Sequence, residues 1–182
     1  MTAFEFFFGF FSLVMGLALV TVASGLANVL QARKVVPLGW LTPLLALLVL
    51  LDICSFWVIG WNNFQDVTIS YGTIYLGLGM TLVYFLSAAL VFPKDSSEWP
   101  SLDDYYDSHK RLVLGGVLFS NAVGVIWRVM TVDQRAFDLT TTALLVLFFA
   151  VLIALMLIKN RRVNLVLLLA HLSTDAAQAF VG

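Results

Sequence analysis

Four ionisable residues lie within long apolar stretches of the sequence, where ionisable groups are rare. They are Asp52, Arg128, His171 and Asp175. Burying such a group at membrane depth costs at least about 2.5–3.5 kcal/mol on insertion scales, so it usually faces a bundle interior or water and marks an ion or proton pathway. These residue types therefore predict a site that binds or relays protons or a small cation.

The charges of this candidate site do not balance. One guanidinium stands against two carboxylates, so a fully ionised set would retain a negative charge where desolvation is severe. A proton on one carboxyl, a protonated His171 or a bound cation would each restore the balance, and the first two would make the site proton-linked. The alternative is structural, with Arg128 paired to one acid and the other acid neutral and hydrogen-bonded. The sequence does not identify any metal.

The last apolar stretch carries a line of polar residues. Asn164, His171, Asp175 and Gln178 follow one another at spacings of seven, four and three, which places them along one face of a helix. Such a face cannot be turned towards lipid. We therefore expect it to face the interior of a helix bundle.

The depth of each polar residue follows from the helical rise of 1.5 Å per residue. This count places Asp52, Arg128 and Asp175 together in one outer layer. It places a second group near the midplane, made up of His171, Asn121, Thr21, Thr81 and Tyr84. The side chains expected to support the site are Asn121, Thr81, Tyr84 and Gln178.

The composition indicates an integral membrane protein. The chain has 182 residues, of which 61% are hydrophobic and 12% charged, and its mean hydropathy is +0.97. Soluble domains have about 45–50% apolar and about 25% charged residues. The net charge of -1 provides no basic surface for nucleic acid, and the single cysteine, Cys54, excludes a disulfide framework and a Cys-based metal site.

The apolar stretches predict an all-α bundle of six transmembrane helices in one domain, residues 1–182. A bilayer core about 30 Å thick needs about 20 apolar residues per helix. Six stretches between clusters of charge, Pro and Asn satisfy this length. They are residues 6–30, 38–61, 68–92, 112–130, 139–158 and 163–181.

The basic residues predict the orientation. Eight of the ten Lys and Arg residues fall in the loops 31–37, 93–111 and 159–162, and only Arg128 and Arg135 fall on the other side. The positive-inside rule therefore places these three loops in the cytoplasm and both termini outside. The expected location is the plasma membrane, such as a bacterial inner membrane, with the lipid bilayer as the surrounding partner.

Residues 94–111, KDSSEWPSLDDYYDSHKR, form the most polar segment. Ser101 followed by Asp104 resembles a capping box, so we expect a helix to begin there and to continue into the fourth span. The acids and His109 could form a cation site or a docking site for a cytoplasmic partner. The alternative is a solvated, capped turn, because charge runs are usually solvated.

Small residues in the first stretch predict a packing surface. They recur at spacings of three, four and seven, and they are Gly9, Ser12, Gly16, Ala23 and Ala27. Close helix contacts in lipid use such residues. If the stripe is not used within the protomer, it is a natural surface for a homo-oligomer, most often a two-fold dimer.

The function predicted from these features is a small polytopic transporter or channel subunit for protons or a small cation. No span contains the Lys that a retinal Schiff base requires, and the GxSxG, HExxH and phosphate-loop patterns are absent. We expect no cofactor. Two alternatives remain open: an accessory or sensory membrane protein with structural charges, and a membrane enzyme that acts on a lipid or quinone headgroup.

Overall fold

The computed structural model describes residues 2–32, 36–63, 65, 68–131 and 139–181. Within α-helices, the side chains of Ala32, Asn63, Thr131 and residues 175–181 are not described. Asp175 and Gln178 are therefore known only by their place on a helix, and their side chains lie outside the described residues. The described part of the chain is all-helical and contains no strand.

Six α-helices follow one another along the described part of the chain, with a short 3₁₀ turn, Ser96–Glu98, between the third and the fourth. They are α1 (Ala3–Ala32), α2 (Leu41–Asn63), α3 (Tyr71–Ala89), α4 (Leu102–Thr131), α5 (Leu139–Leu157) and α6 (Arg161–Val181). Among the described residues, α1 to α5 are long and apolar enough to cross a membrane. This indicates a membrane protein.

The helices pack as a ring in the order α1, α3, α4, α5, α6, α2, and α2 also contacts α4. Helix α2 contacts α1, α4 and α6, and its residues Leu45, Leu48, Val49 and Ile53 are almost completely buried. The ring order differs from the chain order because α3 lies between α1 and α4. As a result, polar residues from α2, α4, α5 and α6 can meet on one side of the bundle.

The first turns of α2 and α4 are joined by hydrogen bonds. A carboxylate oxygen of Asp103 accepts the backbone N–H of Leu41 at 3.1 Å, and the hydroxyl of Thr42 donates to the carbonyl of Leu102 at 2.6 Å. Gly39 has a φ of 61°, and a Cβ there would overlap the Asp103 carboxylate. The Asp103 carboxylate thus satisfies one otherwise unpaired N–H group at the start of α2 with a side chain from the start of α4.

The helix start predicted at Ser101 is confirmed, because α4 begins at Leu102. The backbone N–H of Asp104 donates to the Ser101 hydroxyl at 3.2 Å, and that hydroxyl donates back to the Asp104 carboxylate at 2.6 Å. Arg161 at the start of α6 forms ion pairs with Asp104 at 2.5 Å and with Asp107 at 2.7 Å. The acids of this segment thus tie α4 to α6, and a cytoplasmic partner for the segment stays a prediction.

The last turn of α5 lies at the end of the bundle where residues 93–101 are found, which we call the 93–101 end. Lys110 and Asn164 both donate to the carbonyl of Ile158, at 2.6 and 3.1 Å, and Arg111 donates to the carbonyl of Met156 at 3.1 Å. Cationic groups are favourable at the carbonyl end of a helix. Only Leu152 and Leu155 of α5 are buried, so α5 is held to the bundle mainly near this end.

The space around each glycine shows whether that surface of the helix packs against the bundle or faces outwards. A Cβ on Gly116 of α4 would overlap the hydroxyl of Ser87 on α3, whereas Gly9 and Gly16 of α1 have no heavy atom within 4 Å of such a Cβ. The small-residue stripe of α1 is therefore not a contact within the protomer at these two glycines. Its use in a homo-oligomer stays a prediction.

Two matched substitutions test this packing. Gly116→Ala should lower the thermal stability of the detergent-solubilised protein, because overpacking a tight helix contact costs about 1–3 kcal/mol. Gly16→Ala should leave the stability unchanged or raise it, because Ala gains up to about 1 kcal/mol of helix propensity over Gly. Equal thermal midpoints for the two variants would contradict the described contact between α3 and α4.

Candidate functional site

A cavity of about 320 Å³ lies between α2, α4, α5 and α6. It combines polar groups from all four helices with apolar side chains that come mostly from α5. Its lining residues are Asp52, Ser55, Ile59, Asn121, Arg128, Thr141, Leu144, Leu145, Leu147, Phe148, His171 and Thr174. Three of the four predicted ionisable residues, on three different helices, thus line one cavity.

Asp52 on α2 is buried, with 8% of its surface exposed, and two neighbouring helices supply donors to it. Its Oδ2 accepts the hydroxyl of Tyr84 from α3 at 2.5 Å and the Nδ2 of Asn121 from α4 at 2.9 Å. The Asn121 amide also donates to the carbonyl of Val117 at 3.0 Å, which fixes its orientation. A buried carboxylate is stable only with such donors, so these bonds hold α2, α3 and α4 together.

The depth predicted for Asp52 needs correction. The helical count assigned Asp52 to an outer layer with Arg128 and assigned Asn121 and Tyr84 to the midplane. The direct hydrogen bonds put the carboxyl group of Asp52 level with Asn121 and Tyr84. Arg128 stands seven residues further along α4, a rise of about 10 Å. The count assumed that the predicted boundaries of all helices lie in one plane, whereas α2 begins three residues after its predicted boundary and α4 begins ten residues before its own.

The α6 wall of the cavity is formed by His171 and Thr174. The imidazole is 6% exposed, and its ring centre lies 5.4 Å from the ring of Phe148 on α5. The hydroxyl of Thr174 donates to the carbonyl of His171 at 2.6 Å. His171 therefore lies between an aromatic ring and the polar cavity, where a protonated and a neutral imidazole would interact differently with Asp52 and Arg128.

Of the predicted supporting residues, Asn121 lines the cavity and Tyr84 reaches it through Asp52, but Thr81 does neither. The hydroxyl of Thr81 donates to the carbonyl of Gly77 at 2.9 Å, within its own helix. A buried Thr often forms this bond, and its sequence position alone does not reveal it.

Two hydroxyl residues of the cavity, Ser55 and Thr141, were absent from the sequence prediction. Ser55 stands three residues after Asp52 on α2 and so shares its face, a signal that the sequence does contain. Thr141 belongs to the run of three threonines that begins α5, and no spacing linked this run to the other polar residues.

The cavity therefore presents a carboxylate, a guanidinium and an imidazole beside an apolar wall. These groups can accept, hold and return protons, and they can bind a charged solute. Among the described residues, no group of three or more His, Cys, Asp and Glu side chains could hold a metal ion.

Comparisons of the chain with protein-family models, curated protein sequences and solved structures find no match. The function is therefore argued from the chemistry of the site itself.

The donors to Asp52 can be tested by removing one hydroxyl. Tyr84→Phe should lower the thermal stability, because a hydrogen bond to a charged group contributes about 1.5–3 kcal/mol. Tyr75→Phe, at an exposed position of the same helix, should leave it unchanged. The thermal midpoints of both variants in detergent provide the measurement. A Tyr84→Phe protein as stable as the control would mean that the carboxylate does not depend on this donor.

Proposed function

We propose that this chain is a six-helix membrane transporter that moves protons or a small cation through the cavity of Asp52, Arg128 and His171. The observation that carries the proposal is that three ionisable groups from α2, α4 and α6 line one cavity. Among the described residues, the helices α1 to α5 of this bundle are long and apolar enough to cross a membrane. Ionisable residues buried at membrane depth are costly and usually functional. Asp175 stands one helical turn after His171 and is proposed as the fourth member of the site.

Protons are better supported than metal cations as the transported species. Asp52 is the one carboxylate among the cavity-lining residues that the structure describes, and a divalent cation such as Ca²⁺ requires six to eight oxygen ligands. A carboxyl group and an imidazole together can exchange protons over the physiological pH range. His171 is therefore assigned the role of proton acceptor and donor.

An apolar layer separates the cavity from the 93–101 end. One residue from each helix around the cavity contributes to it, about one turn nearer that end: Leu48, Val117, Leu152 and Leu168. Each of the four has 0% of its surface exposed. Water and ions cannot cross such a layer without a rearrangement of the helices. This favours a transporter that alternates between two states over a permanently open channel.

We assign Arg128 to the side of the cavity that faces away from the apolar layer. It stands eleven residues beyond Val117 on α4, a rise of about 16 Å. With the orientation predicted from the basic loops, the 93–101 end is cytoplasmic and Arg128 lies in the extracytoplasmic half. Both termini are then extracytoplasmic, and a bacterial inner membrane is the proposed location. A homo-oligomer through the outward glycines of α1 is part of the same proposal.

An accessory or sensory membrane protein is the second candidate. The observation in its favour is that Asp52 has two protein donors, from Tyr84 and Asn121. A carboxylate satisfied in this way can have a purely structural role, which is to fix the rotation of the helices relative to one another. In that case its replacement would change stability and leave any flux of protons unaltered.

The orientation is tested with reporter fusions. A reporter of extracytoplasmic location fused after Gly182 should be active, and the same reporter inserted beside Pro100 should be inactive, because the basic loops are retained in the cytoplasm. A reporter that is active only in the cytoplasm should give the reverse pattern at the two sites. Activity of the first reporter at Pro100 would overturn the assigned sides.

Proton movement is tested in proteoliposomes with an internal pH-sensitive dye. Asp52→Asn should abolish pH-dependent flux, and so should Asp175→Asn. His171→Gln should shift the pH profile of the flux, because the replacement cannot be protonated. Asp95→Asn, in the exposed loop before α4, is the matched control and should transport as the wild type does.

Each variant is checked for thermal stability before the flux is interpreted. Arg128→Leu should lose stability outright, because it removes the cation that is proposed to compensate the acids of the site. If flux is unaltered in Asp52→Asn, Asp175→Asn and His171→Gln, the buried charges are structural and the accessory-protein candidate replaces the transporter.

A further inference from the structure

Basic side chains are concentrated around the turn between α5 and α6, at the 93–101 end. Arg111 of α4, Lys159 of the turn and Arg162 of α6 are all exposed. Arg111 lies beside the turn, because its Nε donates to the carbonyl of Met156 in the last turn of α5 at 3.1 Å. Lys159 stands three residues from both Met156 and Arg162, which is at most about 11 Å in either direction. We call Arg111, Lys159 and Arg162 the basic turn.

The described acids nearest to the basic turn are engaged elsewhere. Asp104 and Asp107 form ion pairs with Arg161, and the Asp103 carboxylate accepts the backbone N–H of Leu41. Within the described part of the chain, none of the three basic-turn side chains forms an ion pair. The positive charge of this surface is therefore not compensated by the described acids.

The acids whose side chains are not described are separated from this turn by long stretches of helix. Asp175 follows Arg162 by thirteen residues of α6, a rise of about 20 Å. Asp138 directly precedes α5, whose 19 residues rise about 28 Å, and Asp133 stands five residues before it. Asp66 follows α2, the first turn of which lies at the 93–101 end. The uncompensated charge therefore calls for an anion from outside the chain.

Exposed apolar side chains continue from the basic turn along the same helices. Leu112, Leu157 and Val166 are 62%, 66% and 64% exposed. Leu112 directly follows Arg111, and Val166 stands about one helical turn after Arg162. In a bilayer such side chains contact acyl chains, and long basic side chains beside them reach the level of the headgroups. The surface thus combines cations with an adjoining apolar face.

We propose that the basic turn binds the headgroup of an anionic phospholipid, with its acyl chains against Leu112, Leu157 and Val166. The lipid phosphate accepts hydrogen bonds from the N–H groups that Arg111 has besides its Nε and from the ammonium group of Lys159. A lipid fits better than a soluble anion, because only an amphiphile contacts both the cations and the apolar face. The inference is independent of the proposed movement of protons.

The bound headgroup joins two parts of the bundle. Arg111 belongs to α4, whereas Lys159 belongs to the turn that connects α5 with α6. One phosphate that contacts both residues links α4 to this turn, in addition to the hydrogen bond from Lys110 to Ile158. A ligand that binds only the folded state stabilises it. Anionic lipid should therefore raise the thermal stability of the protein.

The test measures the thermal midpoint of the purified full-length protein in detergent micelles. The probes are phosphatidylglycerol, phosphatidylcholine with the same acyl chains, and glycerophosphate, which is the soluble head without acyl chains. Native mass spectrometry measures the affinity for each lipid. We expect phosphatidylglycerol alone to raise the midpoint and to bind about tenfold or more tightly than phosphatidylcholine, because each basic residue near an anionic headgroup contributes about fivefold. High salt should reduce the effect, because the cations are exposed.

Three variants and one control locate the lipid. Lys159→Gln and Arg162→Gln should each lower the affinity for phosphatidylglycerol about fivefold, and the double variant should lose most of the lipid-induced shift. Lys94→Gln removes an exposed cation from the segment between α3 and α4 and should leave the shift unchanged. Arg111→Gln also loses the bond to Met156. Its midpoint is therefore compared only with and without lipid, and the lipid-induced shift should fall.

The outcomes separate the lipid from other anions. Equal stabilisation by phosphatidylcholine would overturn the inference, because the charge would not be recognised. Equal stabilisation by glycerophosphate would also overturn it, because the site would then take a soluble anion. A phosphatidylglycerol effect that persists in the double variant would place the lipid elsewhere and refute the basic turn. A shift that is lost in the double variant and kept in Lys94→Gln supports it. None of these measurements depends on proton flux, so the proposed function can fail while this inference stands, and the reverse.

Discussion

A carboxylate buried among apolar helices must find its hydrogen-bond donors within the protein, because lipid offers none. Asp52 satisfies this constraint with the hydroxyl of Tyr84 and the amide of Asn121. Both donors are directional, so they fix the rotation of α2 relative to α3 and α4. The fixed rotation also decides which other residues of α2 and α4 share a face with Asp52, and these residues form one side of the cavity.

The helices are tied closely together at one end of the bundle and packed more loosely towards the other. At the 93–101 end, side chains satisfy helix termini directly: Asp103 accepts a backbone N–H at the start of α2, and Lys110 donates to the carbonyl of Ile158, just after α5. These bonds hold the helices close together, and the apolar layer fills the space between them. Further along, α5 has no buried side chain before Leu152. Looser packing there leaves the volume that the polar residues line.

The sequence predicts the helices well because their length and apolar content are set by the bilayer, and Ser101 with Asp104 marked the start of α4 correctly. The sequence predicts the contacts between the helices poorly. In a soluble protein the polar face of a helix identifies its outside, but after its three threonines α5 is apolar on every side, so this part of its sequence does not indicate which residues face the cavity. The glycines of α1 illustrate the same ambiguity, since small residues suit an internal contact and an external one equally. The hydrogen bond between Asp52 and Tyr84 could not be predicted from the sequence, because it depends on the order of the helices around the ring, in which α3 lies beside α4.

The bond between Asp52 and Asn121 spans 69 residues of the chain, and that with Tyr84 spans 32. A ribosome adds about 5–20 residues per second, so Asn121 is synthesised about 3–14 s after Asp52. Asp52 therefore gains its two donors in sequence, the hydroxyl of Tyr84 first and the amide of Asn121 only once that part of α4 has been synthesised. The rotation of α2 relative to both helices is fixed only at that point, when about two-thirds of the chain has been made.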